Sequence, residues 1–479
     1  MEIWAIVMFV AAIILLMLGY PVAFTLGAIA MLFGSIALGF DFFTLLPLRI
    51  WGIITNFTLL AVPLFIFMGV MLEKSGIAET LLETMGRLFG RVRGGLALSV
   101  ILVGGLLAAT TGVVGATVVT MGIIALPSML KHGYAPSLAT GTIATAGTLG
   151  QVIPPSIVLI LLADQIGVPI GQLFVAAVVP GTLLLVFYAI YVLAIAWAKP
   201  DTAPAIVADR AGLWLAVLKS LVPAFILITA VLGSIFFGIA SPTESASIGC
   251  VGACLLALAH GKLTLENVHE AALQTMKLTS MVFIILIGAT AFGLVFRGMG
   301  GDSLIHQIFT NLPGGKWGFI VVSQLLIFVL GFFLDFVEIC FIVVPLLAPI
   351  AVFLQLDLLW FALLISVNLQ TSFLTPPFGF SLFYLKAVAP KEVRIQQIYR
   401  RPTATCRLRR PLLPCPRRLQ VQKRHRLLLR CHRLAATPPP PSMSLHHRLL
   451  LRRRRQAAVP PPLWPPHRLP PRQLMPPSQ

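Results

Sequence analysis

Two stretches of this chain interrupt an apolar helix in the same manner. Gly141 to Pro155 reads GTIATAGTLGQVIPP, and Asn368 to Pro377 reads NLQTSFLTPP. In each, glycine, threonine and amide residues lead into a Pro-Pro pair. In hydrocarbon, every unpaired backbone N–H or C=O costs several kcal/mol, so a membrane helix unwinds only where protein or a wet cavity covers it. Two such interruptions in corresponding positions of two halves are the sequence pointer to the binding site of a secondary transporter.

The rest of the chain is membrane-like enough for that constraint to apply. It is 58% hydrophobic and 11% charged, with mean hydropathy +0.95, whereas soluble domains are roughly 25% charged. Apolar runs long enough to span a bilayer recur from Ile3 to Ala389. The formal charge of +19 comes from one end: 19 of the 35 basic residues and none of the 16 acids lie from Arg400 onward, leaving 16 against 16 in the body. That segment, 400–479, is rich in Arg and Pro. Its abrupt loss of acids reads as an altered reading frame without evolved function. Taken literally, it is a disordered segment for anionic lipid or nucleic acid.

Taken in order, the chain predicts helices over Ile3–Leu18 and Val22–Phe40, and a surface helix over Leu46–Thr58. A span at Leu59–Leu72 and a short helix at Glu79–Leu88 follow. Gly94–Ala109 and Val113–Leu130 are each close to the minimum span, and read as a re-entrant hairpin with its tip at Thr110–Thr117. A broken helix from Tyr134 to Leu162 and a plain span at Phe174–Trp197 close the first half. The second half repeats this order. Trp214–Gly238 and Ser245–Leu258 pair, Leu265–Met276 is a surface helix, and Met281–Phe296 spans. Leu304–Leu312 is short. Trp317–Leu334 and Phe336–Phe353 form a second hairpin tipped by Asp335, and a second broken helix runs from Leu358 to Ala387. Pro127 and Pro349, Pro154 and Pro376, and Gly27 and Gly249 are each 222 residues apart, which predicts an internal repeat. The expected division is a first repeat over 1–200, a linker over 201–213, a second repeat over 214–399 and the tail.

Charge implies that the repeats are inverted. Arg87, Arg91, Arg93, Lys131 and His132 flank the first hairpin; Lys316 and Asp357 flank the second. By the positive-inside bias, the first opens from the cytoplasm and the second from outside, with the N-terminus external. Arg49, Arg297 and Lys316 are the cations that fall outside against that bias.

The candidate site joins tips to breaks. Helix starts at the tips offer N–H groups to an anion without a formal positive charge. Carbonyl, hydroxyl and amide oxygens at the breaks suit a sodium ion. On one side stand Thr110, Thr111, Gly112, Gly115 and Thr117 with Thr145, Gly147, Thr148, Gln151 and Pro154. On the other stand Asp335, Asn368, Thr371, Ser372, Thr375 and Pro376. Sodium is expected near Thr145, Gly147, Asn368 and Thr371. The competing reading is that small residues merely let helices pack closely in lipid. Asp335 is either a cation ligand or a helix cap. Glu244, in Ser-Pro-Thr-Glu-Ser, fits a helix start. No HExxH, GxSxG or CxxC occurs, so an enzyme is not expected. The cysteines have no disulfide or zinc spacing, and the histidines form no ligand set.

The segments LGYPVAFTLG, VPLFIFMG, GATVVTMGIIALPSMLKHGY, GTIATAGTLGQVIPPS, GIASPTES and NLQTSFLTPPFGFSLFYLK together resemble the large membrane subunit (DctM-like) of tripartite ATP-independent periplasmic (TRAP) transporters, over Met1 to Arg400. The resemblance implies an all-α polytopic fold of the elevator-type ion-transporter superfamily, with two re-entrant hairpins and two broken helices. It implies sodium-coupled import of an organic acid, such as a C4-dicarboxylate or a sialic-acid-like compound, at the bacterial inner membrane, with no cofactor. The implied partners are a small integral membrane permease subunit and a periplasmic binding protein, with no nucleic acid. A stand-alone dicarboxylate or citrate carrier of the same superfamily, or a non-transporting assembly subunit, are the alternatives. Family members continue past the equivalent of Arg400 into another apolar helix. Restoring such a helix is therefore expected to raise membrane yield, and equal yields would contradict that.

Overall fold

The computed structural model describes residues 2–206, 213–310, 313–375, 379–390, 393 and 398. Pro376 and the segment 400–479 lie outside them. The described residues are helical, without strands, and belong to one unit, Met1–Thr403.

The first half contains α1 (Glu2–Met17), α2 (Val22–Ala37), α3 (Leu46–Ile54), α4 (Ala61–Lys74) and α5 (Ile77–Phe89). It continues with α6 (Gly95–Thr111), α7 (Val114–Lys131), α8 (Pro136–Thr148), α9 (Ile157–Ile166) and α10 (Ile170–Ala198). The second half contains α11 (Leu213–Phe236), α12 (Pro242–Ala259), α13 (Leu265–Gly298) and α14 (Gly301–Thr310). It ends with α15 (Gly315–Leu330), α16 (Phe336–Phe353), α17 (Leu358–Leu374) and α18 (Phe380–Val388). Six of the described helices are long and apolar enough to cross a membrane, or seven if the bent pair α4–α5 counts as one.

Helix boundaries recur at the spacing noted in the sequence. Val114 and Phe336, which begin α7 and α16, are 222 residues apart, as are Pro136 and Leu358, which begin α8 and α17. Packing recurs too. The two most extensive helix pairs are α4 with α12 and α2 with α13, each joining one half to the other. The second arm of each hairpin packs against the far part of the other half's broken helix, α7 on α18 and α16 on α9.

Three local departures from the sequence expectation have physical causes. Leu265–Met276 is not a separate surface helix: α13 runs unbroken to Gly298, because nothing between Leu265 and Leu286 is glycine or proline. In the first half the same stretch is interrupted between α3 and α4. There Asn56 turns the chain by accepting the Thr58 N–H at 2.9 Å, while its amide donates to Asp164 at 2.7 Å. The second break also begins later than expected. Asn368, Thr371 and Ser372 are helical, and α17 ends only at Leu374, next to Pro376. The first break does begin near Gly147, with a 3-10 turn at Leu149–Gln151 and irregular chain up to Ser156. Finally, α16 widens to a π-helical turn over Ile339–Val343, immediately before Pro345, whose missing N–H removes a regular helical bond. Ile123, the residue 222 positions before Pro345, has its N–H, and α7 shows no such turn.

Burial separates inner from outer helices. In the spanning window of α16, 78% of residues are buried, against 22% in α10. Val179, Phe187 and Ile190 of α10 are exposed apolar side chains, suited to lipid. The seam between halves is tight: a Cβ added at Gly288 of α13 would sit 2.5 Å from the carbonyl oxygen of Ala23 on α2. Backbone cannot yield as a flexible side chain can. Gly288→Ala should therefore lower the thermal transition of the detergent-purified protein, consistent with an overpacking cost of about 1–3 kcal/mol. An unchanged transition would show that the α2–α13 seam is looser than described.

Candidate functional site

Both hairpin tips open on one cavity of about 360 Å³. Val113 to Ala116 at the start of α7 form one wall, and Asp335 to Val337 at the start of α16 another. Ile157, which begins α9, completes a convergence of three helix N-termini. Gln274, Leu278, Met281 and Val282 of α13 face them, with Ile66, Val119, Phe373 and Tyr384 closing the remainder. The first tip is shaped by Gly112, whose φ of +59° a side chain would strain and whose Cβ would lie 3.0 Å from the Ile157 nitrogen. At Gly115, a Cβ would stand 3.2 Å from the Tyr384 ring.

The two tips differ in electrostatics. α7 begins at Val113 with no side chain bonding its leading N–H groups. Those of Val114, Gly115 and Ala116 carry the partial positive charge of the helix start into the cavity wall. At the second tip Asp335 is a cap. Its Oδ1 accepts the Phe336 N–H at 2.7 Å, and Glu338 Oε2 accepts the Asp335 N–H at 3.1 Å. The second helix start thus carries its own carboxylates, while the first is open to an anion. Ser241 and Glu244 form the same reciprocal cap at the start of α12.

The first break meets α17 away from that cavity. Ser366 of α17 donates its hydroxyl to the Gln151 carbonyl at 3.0 Å, and Ser156 donates to the same oxygen at 3.0 Å. Gln151 is fully buried, and neither its amide nitrogen nor its amide oxygen has a hydrogen-bond partner. One helical turn beyond Ser366, Gln370 donates to the Tyr188 hydroxyl at 3.3 Å while its buried Oε1 is likewise unpartnered. Buried polar atoms are nearly always satisfied, so orphaned amide oxygens where the first break meets α17 mark a place for an oxygen-liganded ion or water. Oxygen donors fit sodium, a hard cation.

The other candidates fall into place around these two centres. Gly147 packs directly on Val118 of α7, and a Cβ at Gly150 would be 2.8 Å from the Ala108 carbonyl. Residue 372 is the counterpart of 150, and there Ser372 packs on Gly331 at the end of α15. Thr117, Thr145, Thr148, Thr371, Ser372 and Thr375 each donate their hydroxyl to a carbonyl of their own helix. Asn368 faces α15, donating to the carbonyl and the side-chain oxygen of Gln324 at 2.6 and 2.8 Å. It does not join Asp335. Pro154 forms a cis peptide with Pro155 at the end of the first break. Thr110 and Thr111 close α6; their side chains, like Pro376, lie outside the described residues. Gly115 and Asp335 are thus the sequence candidates that reach the tip cavity, and Gln151 reaches the contact of the first break with α17. Tyr384, Gln274, Ser366 and Gln370 were missed. Tyr384 and Gln370 sit inside a quoted motif and Ser366 lies two residues before it, but Gln274 lies on a helix expected at the membrane surface.

The cap geometry at the second tip makes a distinct expectation. Asp335→Ala should lower stability by about 0.5–2 kcal/mol, the range for loss of an N-cap, while Asp335→Asn should restore most of it, because Asn caps nearly as well. The check is thermal unfolding of the purified variants. If Asn is as damaging as Ala, the carboxylate has a role other than capping.

Residues 9–403 match the family model described as "Tripartite ATP-independent periplasmic transporter, DctM component". The chain is 32% identical over 72% of its length, and 80% of the relative's, to the C4-dicarboxylate TRAP transporter large permease protein DctM of Pseudomonas aeruginosa. It is 29% identical over 80% of its length, and 90% of the relative's, to the protein of the same name from Rhodobacter capsulatus. It is 30% identical over 78% of its length to the sialic acid TRAP transporter large permease protein SiaM of Vibrio cholerae, covering 87% of that protein. Among solved structures, it resembles the Alcanivorax borkumensis YdaH transporter, with TM-score 0.54, 16% identity, and coverage of 76% and 84% of the two chains. That likeness supports the all-α transporter fold. These relatives are transporter permeases rather than enzymes, and with the apolar spans they make this a multi-pass inner-membrane protein. The chain belongs to the DctM family, the large permease component of tripartite ATP-independent periplasmic transporters.

Proposed function

We propose that the chain is the sodium-coupled step in importing an organic acid, working with a small permease subunit and a periplasmic binding protein. Relatives named for C4-dicarboxylate and for sialic acid support an acidic substrate. The observation that carries the sodium reading is the pair of orphaned, buried amide oxygens on Gln151 and Gln370, on the first break and on the α17 helix that meets it. The open start of α7 in the tip cavity supports binding of the carboxylate there.

In this reading sodium binds first, at the breaks, and fixes the backbone that holds both tips. A carboxylate then accepts the N–H groups of Val114, Gly115 and Ala116. The tips, broken helices and second arms move together along a scaffold that includes α13, so the cavity opens to one side and then to the other. Two inverted repeats over 1–200 and 214–399, joined by 201–213, supply the symmetry such alternation requires. No cofactor takes part.

The test is uptake into proteoliposomes holding this chain and its small permease subunit, with succinate and sialic acid as trial substrates. Uptake should need both an inward sodium gradient and the binding protein. Sodium-dependent uptake without the binding protein would favour the stand-alone carrier, and none with all partners present would favour an assembly subunit. Gln151→Leu keeps the volume and removes the oxygen. It should raise the half-saturating sodium concentration roughly tenfold, the change expected when about 1.4 kcal/mol of binding is lost. An unchanged sodium dependence would make Gln151 a packing residue.

A further inference from the structure

Arg49 and Arg297 lie on the outer side in the orientation set by charge bias, against the rule that keeps cations inside. Both line a single cavity of about 190 Å³, together with Gln165, Thr290, Phe341 and Pro345. No carboxylate stands in its wall. Of the acids flanking these residues, one pairs with Arg297 itself and the other is engaged by side-chain amides. Asp302 lies 3.6 Å from Arg297, and both oxygens of Asp164 accept amide hydrogens, from Asn56 at 2.7 Å and Gln165 at 2.9 Å. Arg49 has no ion-pair partner among the described residues.

The position of this cavity relative to the tips is informative. α13 lines the tip cavity with residues up to Val282 and the arginine cavity from Leu286 to Arg297. α16 lines the first up to Val337 and the second with Phe341 and Pro345. On each helix the gap is four residues, about 6 Å at the helical rise. The two cavities therefore lie end to end in one groove between α13 and α16.

We propose that the arginine cavity is an outer port, which holds a carboxylate of the transported acid before that acid reaches the tips. The inference rests on the transport reading above. Its volume is below the roughly 300–1,000 Å³ of pockets that enclose a drug-sized ligand, so it takes a carboxylate head group or a small diacid. Guanidinium groups match that geometry with paired donors, and a cleft with apolar walls concentrates their field. When the tips slide outward along α13, they come to face Leu286–Arg297, and the acid passes from port to tip without crossing open solvent. The phosphate of an anionic lipid offers the same oxyanion chemistry, so the test separates the two sources.

Thr290→Cys, in a chain whose native cysteines are replaced by serine, puts a thiol in the wall of the port. In proteoliposomes of phosphatidylcholine, external sulfonatoethyl methanethiosulfonate should label it roughly tenfold faster than the trimethylammonium analogue, as expected for a cationic cleft. Arg49→Gln with Arg297→Gln should bring the two rates to parity, and Lys at both positions should keep the preference, which separates loss of charge from loss of fold. Succinate as the probe carboxylate should slow the sulfonate. Equal rates in the parent, or a preference that survives the double Gln variant, would overturn the proposal. So would protection by added phosphatidylglycerol without protection by succinate, which would make the occupant a lipid head group. The labelling needs neither sodium nor uptake, so a failure of transport would count against the function proposed above and leave this readout intact.

Discussion

Inside a membrane, a helix that starts or stops away from water must find partners for its end groups within the protein, and this one requirement organises the chain. Three helices begin around the tip cavity, and their N–H groups are handled in two ways. Asp335 and Glu338 satisfy the second tip from within. Among the described residues the first tip has no such side chain, so its leading N–H groups are left to face the cavity. Carbonyls released at the breaks are drawn into hydroxyl contacts, as where Ser156 and Ser366 both reach the Gln151 oxygen. The same physics that forbids loose backbone in lipid therefore concentrates free polar groups at two places, and those are the places where chemistry is possible.

The tight contacts around these places follow. Gly112 allows the reversal between α6 and α7, and Gly150 lets the first break lie on the end of α6. In the second half the small residue has moved to the other partner: Gly331 ends α15 and Ser372 lies on the helix. Each contact needs one residue without a side chain, Gly150 in the first and Gly331 in the second.

Much of the architecture was legible because hydrocarbon leaves so few options. The hairpin arms, the first break and the offset of 222 could be read from apolar length, prolines and glycines. What was misread depended on competition between local signals. Lys277 to Ser280 looked like a polar boundary, yet helix-compatible residues carried α13 through it. Asn368 to Ser372 looked like unwound chain, yet hydroxyls bonding back to their own helix kept α17 intact up to Leu374. The site was legible as a region and less so as residues. Gly115 and Asp335 could be placed at the tips because they lie where helices begin. Tyr384 and Gln274 reach the cavity only through tertiary packing, and nothing in their neighbours announces it. The orphaned oxygen of Gln370 depends on where α17 meets Tyr188, a contact across 182 residues.

The central claim is that the uncapped start of α7 receives the carboxylate while sodium occupies the contact of the first break with α17. The most direct measurement is a pair of cryo-electron microscopy maps of the complex with its small subunit, with sodium and the acid that uptake identifies, and without either. The account predicts carboxylate density within roughly 2.7–3.2 Å of the Val114 to Ala116 nitrogens, and ion density beside the Gln151 amide oxygen. Density for the acid elsewhere, with the tip cavity empty in both maps, would contradict it.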